Sequence, residues 1–158
     1  MFELKTEHIF DARFTVTSPD GYAFVGNGGW GTRVIAPVTG GTVEGPKIRA
    51  KAKNFGADWF VIRHDGTFVV DVRLVLETDD DAFIHMYYPG IVDVTQEQLA
   101  QLSAGIFPRF VARVHTAPRF ETGHEKYLWL NRIMGVGIGE VDTTLDPPEV
   151  RYSVFALT

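Results

Sequence analysis

Cysteine is absent from the 158-residue sequence. The chain therefore has no disulfide, no thiolate nucleophile and no cysteine-ligated zinc or iron–sulfur centre. No apolar run approaches the roughly 20 residues of a membrane-spanning helix. The first ten residues mix charged with apolar side chains, so they lack the apolar core of a signal peptide. We therefore expect a cytoplasmic protein without a membrane partner.

Positive charge is also scarce, since the chain has 15 Lys and Arg but 20 Asp and Glu, which gives a formal net charge of -5. Such an acidic chain lacks the electrostatic footprint of a nucleic-acid-binding protein. The five histidines form neither HxH nor HExxH, and the glycine-rich stretches at 26–31 and 135–139 match no phosphate-binding loop. No GxSxG nucleophile motif occurs. We therefore predict no metal, no cofactor and no nucleic-acid partner.

Aromatic side chains are plentiful: the chain has 12 Phe, 5 Tyr and 3 Trp. Apolar residues alternate with polar ones along most of the sequence, which is the period of β-strands. Strands are predicted within 10–17, 33–38, 47–53, 57–64, 67–78, 82–88, 108–116, 127–139 and 149–157. The one predicted helix runs from Thr95 to Ala104, with Thr95 as N-cap, Gln98 completing a capping box and Gly105 as the stop.

This pattern predicts an all-β fold, a single antiparallel closed or nearly closed β-barrel of eight to ten strands with one short helix. We expect residues 1–158 to form one domain, because no linker or repeat divides them. Residues 21–31 are predicted to be a glycine-rich loop carrying three aromatics, and one hypothesis is that it closes over the barrel mouth as a lid.

Two tight turns predict how the central strands pair. Asp65-Gly66 is typical of a two-residue hairpin turn, which would place Asp58 opposite Arg73. A second two-residue turn at Asp80-Asp81 would place Arg73 opposite Tyr88. One face of the sheet would then hold a row of Asp58, Arg73 and Tyr88. The other face of residues 68–76 would be almost wholly apolar.

Two assignments of these faces remain open. In the first, the mixed face lines a cavity, and the apolar face is covered by the helix or by a partner subunit. In the second, the apolar face fills the barrel, and Asp58 and Arg73 form an external ion pair of little energetic value. A register shift of one residue would exchange the faces, because side chains alternate along a strand.

The segment 127–139 shows a related pattern. Tyr127, Trp129 and Asn131 would share one face of a strand, followed on that face by the glycines at 135, 137 and 139. Glycines there would leave open space for a ligand beside polar aromatics. The alternative is that they relieve sharp barrel curvature.

Several blocks together resemble the small proteins of domain-of-unknown-function family 3237. They are PVTGGTVEGPKIRA (37–50), GADW (56–59), RHDG (63–66), DVRLVLETDD (71–80), PRFET (118–122) and YLWLNR (127–132). The resemblance covers roughly residues 33–157 and implies a small antiparallel β-barrel, with no firmly established activity. The matching positions are Glu44, Asp58, Trp59, Asp71, Asp80, Phe120, Glu121, Thr122, Tyr127, Trp129 and Asn131. Asp81 departs from the pattern, which favours glycine there.

Carboxylate acid–base chemistry is the enzymatic function these residues favour. A carboxyl group enclosed by aromatic walls has a raised pKa, which suits proton abstraction near neutral pH. We predict Asp58, Asp71 and Glu121 as catalytic candidates. The predicted substrate-binding residues are Glu44, Trp59, Arg73, Tyr88, Tyr127, Trp129 and Asn131. Arg73 would clamp an oxyanion, the tyrosines and Asn131 would donate hydrogen bonds, and the tryptophans would stack on a planar substrate.

The sequence thus predicts a barrel that binds a small organic ligand. If it is an enzyme, we expect a cofactor-free isomerase, cyclase or lyase acting on a small carbonyl-containing or aromatic compound. One alternative is a non-catalytic binding or carrier barrel. Another is a structural subunit of a homo-oligomer whose interface is the apolar face of residues 68–76. In the structural interpretation of the same residues, Asp58 and Arg73 form a cross-strand pair, and Glu121 and Asn131 satisfy backbone groups.

Overall fold

Antiparallel β-strands close into one barrel in the computed structural model, which describes residues 1–158. The twelve strands are β1 (Thr6–Val16), β2 (Ala23–Gly28), β3 (Gly31–Glu44), β4 (Arg49–Ala52), β5 (Gly56–Asp58), β6 (Val61–Arg63), β7 (Phe68–Thr78), β8 (Phe83–Val92), β9 (Val111–Thr116), β10 (Arg119–Glu121), β11 (Gly135–Asp142) and β12 (Glu149–Leu157). One α-helix, α1 (Gln96–Ser103), and two 3₁₀ helices, Pro19–Gly21 and Glu125–Arg132, complete the fold. The predicted all-β barrel with one short α-helix is confirmed.

The barrel has eight strand positions around its circumference. Their order is β1, β3, a shared position, β7, β8, β9, β11 and β12, which returns to β1. The short strands β4, β5 and β6 share the position between β3 and β7. Strand β10 pairs with the part of β8 that β9 leaves free. No helix is long and apolar enough to cross a membrane.

The apolar core lies inside the barrel, where alternate residues of each strand point inward. Strand β7 shows this most clearly, because all its even-numbered residues from Phe68 to Thr78 are buried. Leu74, Leu76 and Ile84 are at most 2% exposed. The apolar face of 68–76 therefore fills the barrel, and the prediction that it forms an oligomer interface is wrong.

The hairpin between β6 and β7 has a three-residue loop, His64 to Gly66. The N–H of Arg63 donates to the carbonyl of Thr67 over 2.9 Å, and Gly66 has a φ of +80°. A turn that ends in a left-handed residue is the usual form of a three-residue hairpin loop. The predicted two-residue turn at Asp65-Gly66 is therefore one residue too short.

The hairpin between β7 and β8 has the same form. Thr78 donates its N–H to the carbonyl of Ala82 over 2.9 Å, and Asp81 has a φ of +64°. Asp81 is the one non-glycine residue of the chain in this left-handed region. It stands where the family pattern favours glycine, and the backbone conformation explains that preference.

Both longer loops shift β7 by one residue against its neighbours. Asp58 pairs with Val72, and Val72 pairs with Tyr88. The inward row is therefore Asp58, Val72 and Tyr88, and the prediction that Arg73 belongs to it is wrong. Arg73 lies on the outer surface, opposite Tyr87.

Most of the predicted loop 21–31 is a strand, because β2 pairs with the beginning of β3. The turn between them ends at Gly31, whose φ is +132°. A Cβ atom there would lie 2.1 Å from the carbonyl oxygen of Ile62. Glycine at this position is therefore what lets β3 approach β6.

Helix α1 follows the sequence prediction. The Thr95 side chain accepts a hydrogen bond from the N–H of Gln98 (3.2 Å), and the Gln98 side chain accepts one from the N–H of Thr95 (2.8 Å). The helix ends just before Gly105, which has a φ of +78°. Its buried side chains are Leu99 and Leu102, so the helix covers part of the barrel.

The predicted strand 127–139 begins only at Gly135. Residues Glu125–Arg132 form a 3₁₀ helix instead, and its buried side chains, Tyr127 and Leu130, are three residues apart. That spacing is the period of a 3₁₀ helix. Tyr127, Trp129 and Asn131 therefore do not share one face of a strand, and this prediction is wrong.

Candidate functional site

A cavity of about 550 Å³ opens at one end of the barrel. Its rim consists of connecting segments, including the 3₁₀ helix Pro19–Gly21 and residues 143–148. Its walls are inward side chains of β1, β3, β5, β7, β8 and β12, and they are largely apolar. The aromatic residues that line the cavity, from strands and connecting segments together, are Phe14, Tyr22, Phe60, Phe68, Tyr88, Phe107, Phe110 and Tyr152.

The other end of the barrel is filled. Phe10 packs edge-on against Phe120, with ring centroids 5.8 Å apart, and Phe10 is fully buried. Leu130, from the 3₁₀ helix Glu125–Arg132, is also fully buried. We call this half of the molecule the closed end and the half with the cavity the open end.

Apart from the tyrosines, Asp58 is the only ionisable residue on the inner wall of the cavity. The other charged residues that line it, Asp20, Arg109 and Asp146, are exposed and lie in rim segments. Strand β5 holds Asp58 between Ala36 of β3 and Val72 of β7.

The Asp58 carboxyl is fixed through one oxygen only. Its Oδ1 accepts a hydrogen bond from the N–H of Asp71 over 2.9 Å, whereas Oδ2 makes no hydrogen bond to the protein. Burial raises the pKa of Asp58 to about 7, and the charge of Asp71 adds to this effect. The Asp71 N–H and the Arg33 guanidinium oppose it. The free oxygen can therefore hold or release a proton near neutral pH.

Three tyrosines surround this carboxyl group. Tyr88 is two strands away on the same inward row, and Tyr152 packs edge-on against it at 5.5 Å between ring centroids. Burial raises the pKa of Tyr22 to about 12, with a further contribution from the charge of Asp58. Burial raises the pKa of Tyr88 and of Tyr152 as well, and the charge of Asp58 again contributes. All three therefore stay protonated and can donate a hydrogen bond.

Tyr22 connects the rim to the wall. Its ring packs edge-on against Phe107 at 5.1 Å and against Phe60 at 6.4 Å between centroids. The Ser18 hydroxyl donates to Asp146 over 2.5 Å, which ties two rim segments together. The rim is thus held by an aromatic cluster on one side and by hydrogen bonds on the other.

Of the predicted site residues, only Asp58 and Tyr88 line the cavity. Trp59 and Asp71 are neighbours of Asp58 in the sheet but lie on its outer side, and the N–H of Trp59 donates to the carbonyl of Asp71 over 2.9 Å. Arg73 is exposed on the same outer surface. The predicted cluster of Asp58, Asp71, Arg73 and Tyr88 on one face is therefore wrong.

The predicted residues of 121–131 lie at the closed end. The Tyr127 hydroxyl donates to Asp80 over 2.7 Å, next to the β7–β8 loop. Hydrogen bonds from Lys126, Tyr127 and Thr78 hold the pKa of Asp80 well below its usual range. Strand β7 runs six residues from Val72 to Thr78, so this network is about 20 Å from Asp58.

Asn131 makes a pair of hydrogen bonds to Thr122. The Asn131 side chain accepts from the N–H of Thr122 and donates to its carbonyl, each over 2.8 Å. Glu121 is exposed and directly precedes this pair. Asn131 therefore satisfies backbone groups, as the structural interpretation predicted, whereas the Glu121 side chain makes no hydrogen bond.

Trp129 and Glu44 also lie away from the cavity. Trp129 is partly buried, and the ammonium group of Lys47 lies 5.5 Å from its ring centroid. Glu44 is exposed at the end of β3, opposite Arg49 of β4. Neither residue lines the cavity.

The space predicted beside the glycines of β11 is occupied. A Cβ atom on Gly137 would lie 2.2 Å from Oγ1 of Thr116, and one on Gly139 would lie 1.8 Å from the carbonyl oxygen of Arg151. These glycines allow close packing in the barrel wall and leave no opening for a ligand.

Tyr152 is a site residue that the sequence pattern did not identify. It lies on the same face of β12 as Val150, Val154 and Ala156, which point into the barrel. A tyrosine on such an inward apolar face needs a polar environment for its hydroxyl group, and this was the available signal. Of the three aromatics in the predicted lid, Tyr22 lines the cavity, whereas Phe24 and Trp30 lie outside its lining.

No group of three or more His, Asp or Glu side chains is arranged to hold a metal ion. The site therefore consists of one carboxyl group, three phenol groups and an apolar wall. This set can bind an uncharged organic molecule, donate hydrogen bonds to an oxygen on it and exchange a proton with a neighbouring atom.

Comparisons with known proteins agree with this fold. The family model "Protein of unknown function (DUF3237)" matches residues 4–157. A UPF0311 protein of Rhodopseudomonas palustris (strain TIE-1) is 35% identical over 137 residues, which cover 85% of this chain and 86% of that protein.

Solved structures show the same barrel. The crystal structure of a conserved protein of unknown function from Rhodopseudomonas palustris superimposes with a TM-score of 0.84 at 28% identity, covering 100% of both chains. A β-barrel-like protein from Acinetobacter baumannii AYE superimposes with a TM-score of 0.72 at 31% identity, covering 100% of this chain and 98% of that one.

Proposed function

The chain belongs to the DUF3237 family of proteins of unknown function, and we propose that it is a small-molecule-binding barrel that catalyses cofactor-free acid–base chemistry on a carbonyl compound. The observation that carries the proposal is the position of Asp58, a carboxyl group with one free oxygen inside an apolar cavity of about 550 Å³. Clefts of this size bind small organic molecules.

The proposed base is Oδ2 of Asp58. Oδ1 is held by the N–H of Asp71, so the carboxyl group has a fixed orientation while its second oxygen faces the cavity. Its pKa of about 7 allows it to take up and return a proton at neutral pH. Asp71 and Glu121 have no part in this proton transfer, because neither lines the cavity.

The proposed reaction starts with the transfer of a proton from the carbon next to the carbonyl group to Oδ2. The electrons of the C–H bond form the carbon–carbon double bond of an enolate, and the negative charge moves to its oxygen. The hydroxyl groups of Tyr88 and Tyr152 would stabilise that oxygen by donating hydrogen bonds. Return of the proton to a different carbon gives an isomerase, and expulsion of a leaving group gives a lyase.

The test is proton exchange in D₂O with 1-tetralone, a neutral bicyclic ketone with acidic hydrogens beside its carbonyl group. NMR would follow the loss of these hydrogens in the presence of the protein. We expect exchange with the wild type that rises with pH and levels off above about pH 7, because the base must be ionised. Asp58→Asn should lower the rate by about 100-fold or more.

Two matched variants serve as controls. Asp93→Asn removes an exposed carboxyl group that makes no side-chain hydrogen bond, and it should leave the exchange rate unchanged. Tyr88→Phe should lower the rate by about 10- to 100-fold. Its control is Tyr87→Phe, because Tyr87 is the neighbouring residue and lies on the outer face of the same strand, and this variant should leave the rate unchanged. Equal exchange by the wild type and Asp58→Asn would refute the proposed chemistry.

A non-catalytic binding barrel is the second candidate. It is favoured by the largely apolar lining, in which a single carboxyl group on the inner wall accompanies many aromatic side chains. Binding of 1-tetralone without any enhanced exchange at pH values above 7 would support this carrier function over the enzyme.

A further inference from the structure

The charged side chains that line the cavity are mostly negative. Asp58 is on the inner wall, and the rim adds Asp20 and Asp146 against the single cation Arg109. The guanidinium of Arg109 lies 3.4 Å from the carbonyl oxygen of Thr144, which it contacts within the rim. No positively charged side chain reaches the inner wall.

We propose that the natural ligand is an uncharged compound of two or three rings that carries a ketone group, and that this barrel selects against carboxylates, phosphates and other anions. The inference rests on the proposed function, because it names the class of substrate for the same cavity. It follows from the placement of charges, donors and aromatic walls around Asp58.

Anions are disfavoured by the environment of Asp58. A bound carboxylate or phosphate would lie close to the Asp58 charge in an apolar setting, where repulsion is weakly screened. Arg33, the cation whose charge acts on Asp58, donates to the carbonyl of Trp59 and does not line the cavity. An anion would therefore lose its hydration shell without gaining a counter-charge.

Cations are disfavoured because acceptors are few. Oδ1 of Asp58 is already occupied by the N–H of Asp71, which leaves one carboxylate oxygen for a buried ammonium group. The other titratable groups that act on Asp58 are the phenols of Tyr22, Tyr88 and Tyr152 inside the cavity, and Arg33 and the Asp71 carboxyl outside its lining. Burial of an ion pair here costs more in desolvation than one contact returns.

A ketone fits the same groups. Its oxygen accepts hydrogen bonds, and the hydroxyl groups of Tyr22, Tyr88 and Tyr152 are donors that line the cavity. Aromatic side chains of the lining, such as Phe14 and Phe60, offer flat apolar surfaces to a planar ring system. A cavity of roughly 150 Å³ holds one benzene ring, so about 550 Å³ accommodates two or three rings with their substituents.

Three compounds with one tetralin skeleton test this inference. They are 1-tetralone, 1,2,3,4-tetrahydro-1-naphthoate and 1-aminotetralin, which place a ketone, a carboxylate and an ammonium group on the same carbon. Calorimetry at about pH 8.5 measures binding with Asp58 ionised, since its pKa is about 7. We expect the ketone to bind at least about tenfold more tightly than either ion.

Asp58→Asn is the informative variant, because it keeps the volume and removes the charge. It should bind the carboxylate at least about threefold more tightly than the wild type does, because the repulsion is lost while the cost of desolvating the anion remains, whereas Asp93→Asn should retain the wild-type preference. Carboxylate or ammonium binding to the wild type as tight as that of the ketone would overturn the inference, and so would a failure of all three compounds to bind.

These outcomes are separable from the test of the proposed function. Selective binding of the ketone without Asp58-dependent proton exchange would leave the ligand class standing and refute the chemistry. Conversely, Asp58-dependent exchange together with tight binding of the carboxylate would leave the chemistry standing and refute the proposed ligand class.

Discussion

Asp58 is a carboxyl group in a setting that opposes its charge. The apolar walls of the cavity raise its pKa, and only the N–H of Asp71 and the more distant Arg33 favour the ionised form. A group of this kind stores free energy in the folded protein, because burial penalises the state that it adopts in water. Such groups occur frequently at functional sites.

This environment predicts how stability depends on pH. The pKa of Asp58 is about 7 in the folded protein and near the ordinary value of about 3.9 after unfolding. Between these values the folded state holds the proton and the unfolded state does not, so the contribution of Asp58 to stability falls as pH rises from about 4 to about 7. The maximum loss is about 4 kcal/mol, which water in the cavity should reduce to about 1–2 kcal/mol.

Asp58→Asn should therefore be more stable than the wild type at pH 8 and about equally stable at pH 4. Urea unfolding at both pH values measures the free energy of unfolding, and Asp93→Asn controls for the loss of an exposed carboxyl group. A difference between Asp58→Asn and the wild type that stays constant from pH 4 to pH 8 would contradict the raised pKa of Asp58 in the folded protein.

At the scale of single elements, two hairpin loops decide which side chains enter the barrel. Each loop has three residues and ends in a left-handed residue, Gly66 in one and Asp81 in the other. The sequence analysis predicted two-residue turns, and the difference of one residue at each end of β7 moves Arg73 outside and Val72 inside. Turn chemistry at these positions therefore determines the composition of the site.

Asp81 carries a conformational cost that glycine would remove. Asp81→Gly should stabilise the protein by about 0.5–1 kcal/mol, because glycine adopts a φ of +64° without strain. Asp79→Gly is the matched control in the same loop, and it should be neutral or destabilising, because Asp79 has a negative φ. Chemical denaturation compares the two variants, and a destabilised Asp81→Gly would show that the aspartate is held by more than its backbone.

The 3₁₀ helix Glu125–Arg132 shows how a pattern can mislead at this scale. Tyr127, Trp129 and Asn131 have the period of a strand, but the burial of Tyr127 and Leu130 follows a period of three. Only packing against the closed end selects between the two, since short segments satisfy both patterns. These residues then close the barrel at the end away from Asp58.

On the scale of the whole molecule, the barrel is filled at one end and hollow at the other. The closed end contains fully buried side chains such as Leu76 and Ile84, whereas the open end has a cavity of about 550 Å³. One continuous core connects the two ends through the strands that they share. We therefore expect the barrel to unfold as one unit.

Single-tryptophan variants test this cooperativity. Trp59 lies beside Asp58 near the cavity and Trp129 lies at the closed end, so each reports on one end of the barrel. Leu76→Ala should lower the free energy of unfolding by about 2–5 kcal/mol, and both fluorescence signals should shift to the same lower urea concentration. Separate transitions for Trp59 and Trp129 would show that the open end unfolds independently.

The sequence by itself determined the all-β barrel, helix α1 with its capping box, and the presence of Asp58 and Tyr88 in one row. These depend on local period and capping, which neighbouring residues in the chain control. The tertiary structure decided the rest. It determined which face of β7 points inward, it placed Tyr22 and Tyr152 in the cavity lining, and it placed residues 121–131 at the closed end. Register and barrel closure depend on loops one residue longer and on strands distant in sequence, and a one-residue difference there exchanges inside and outside.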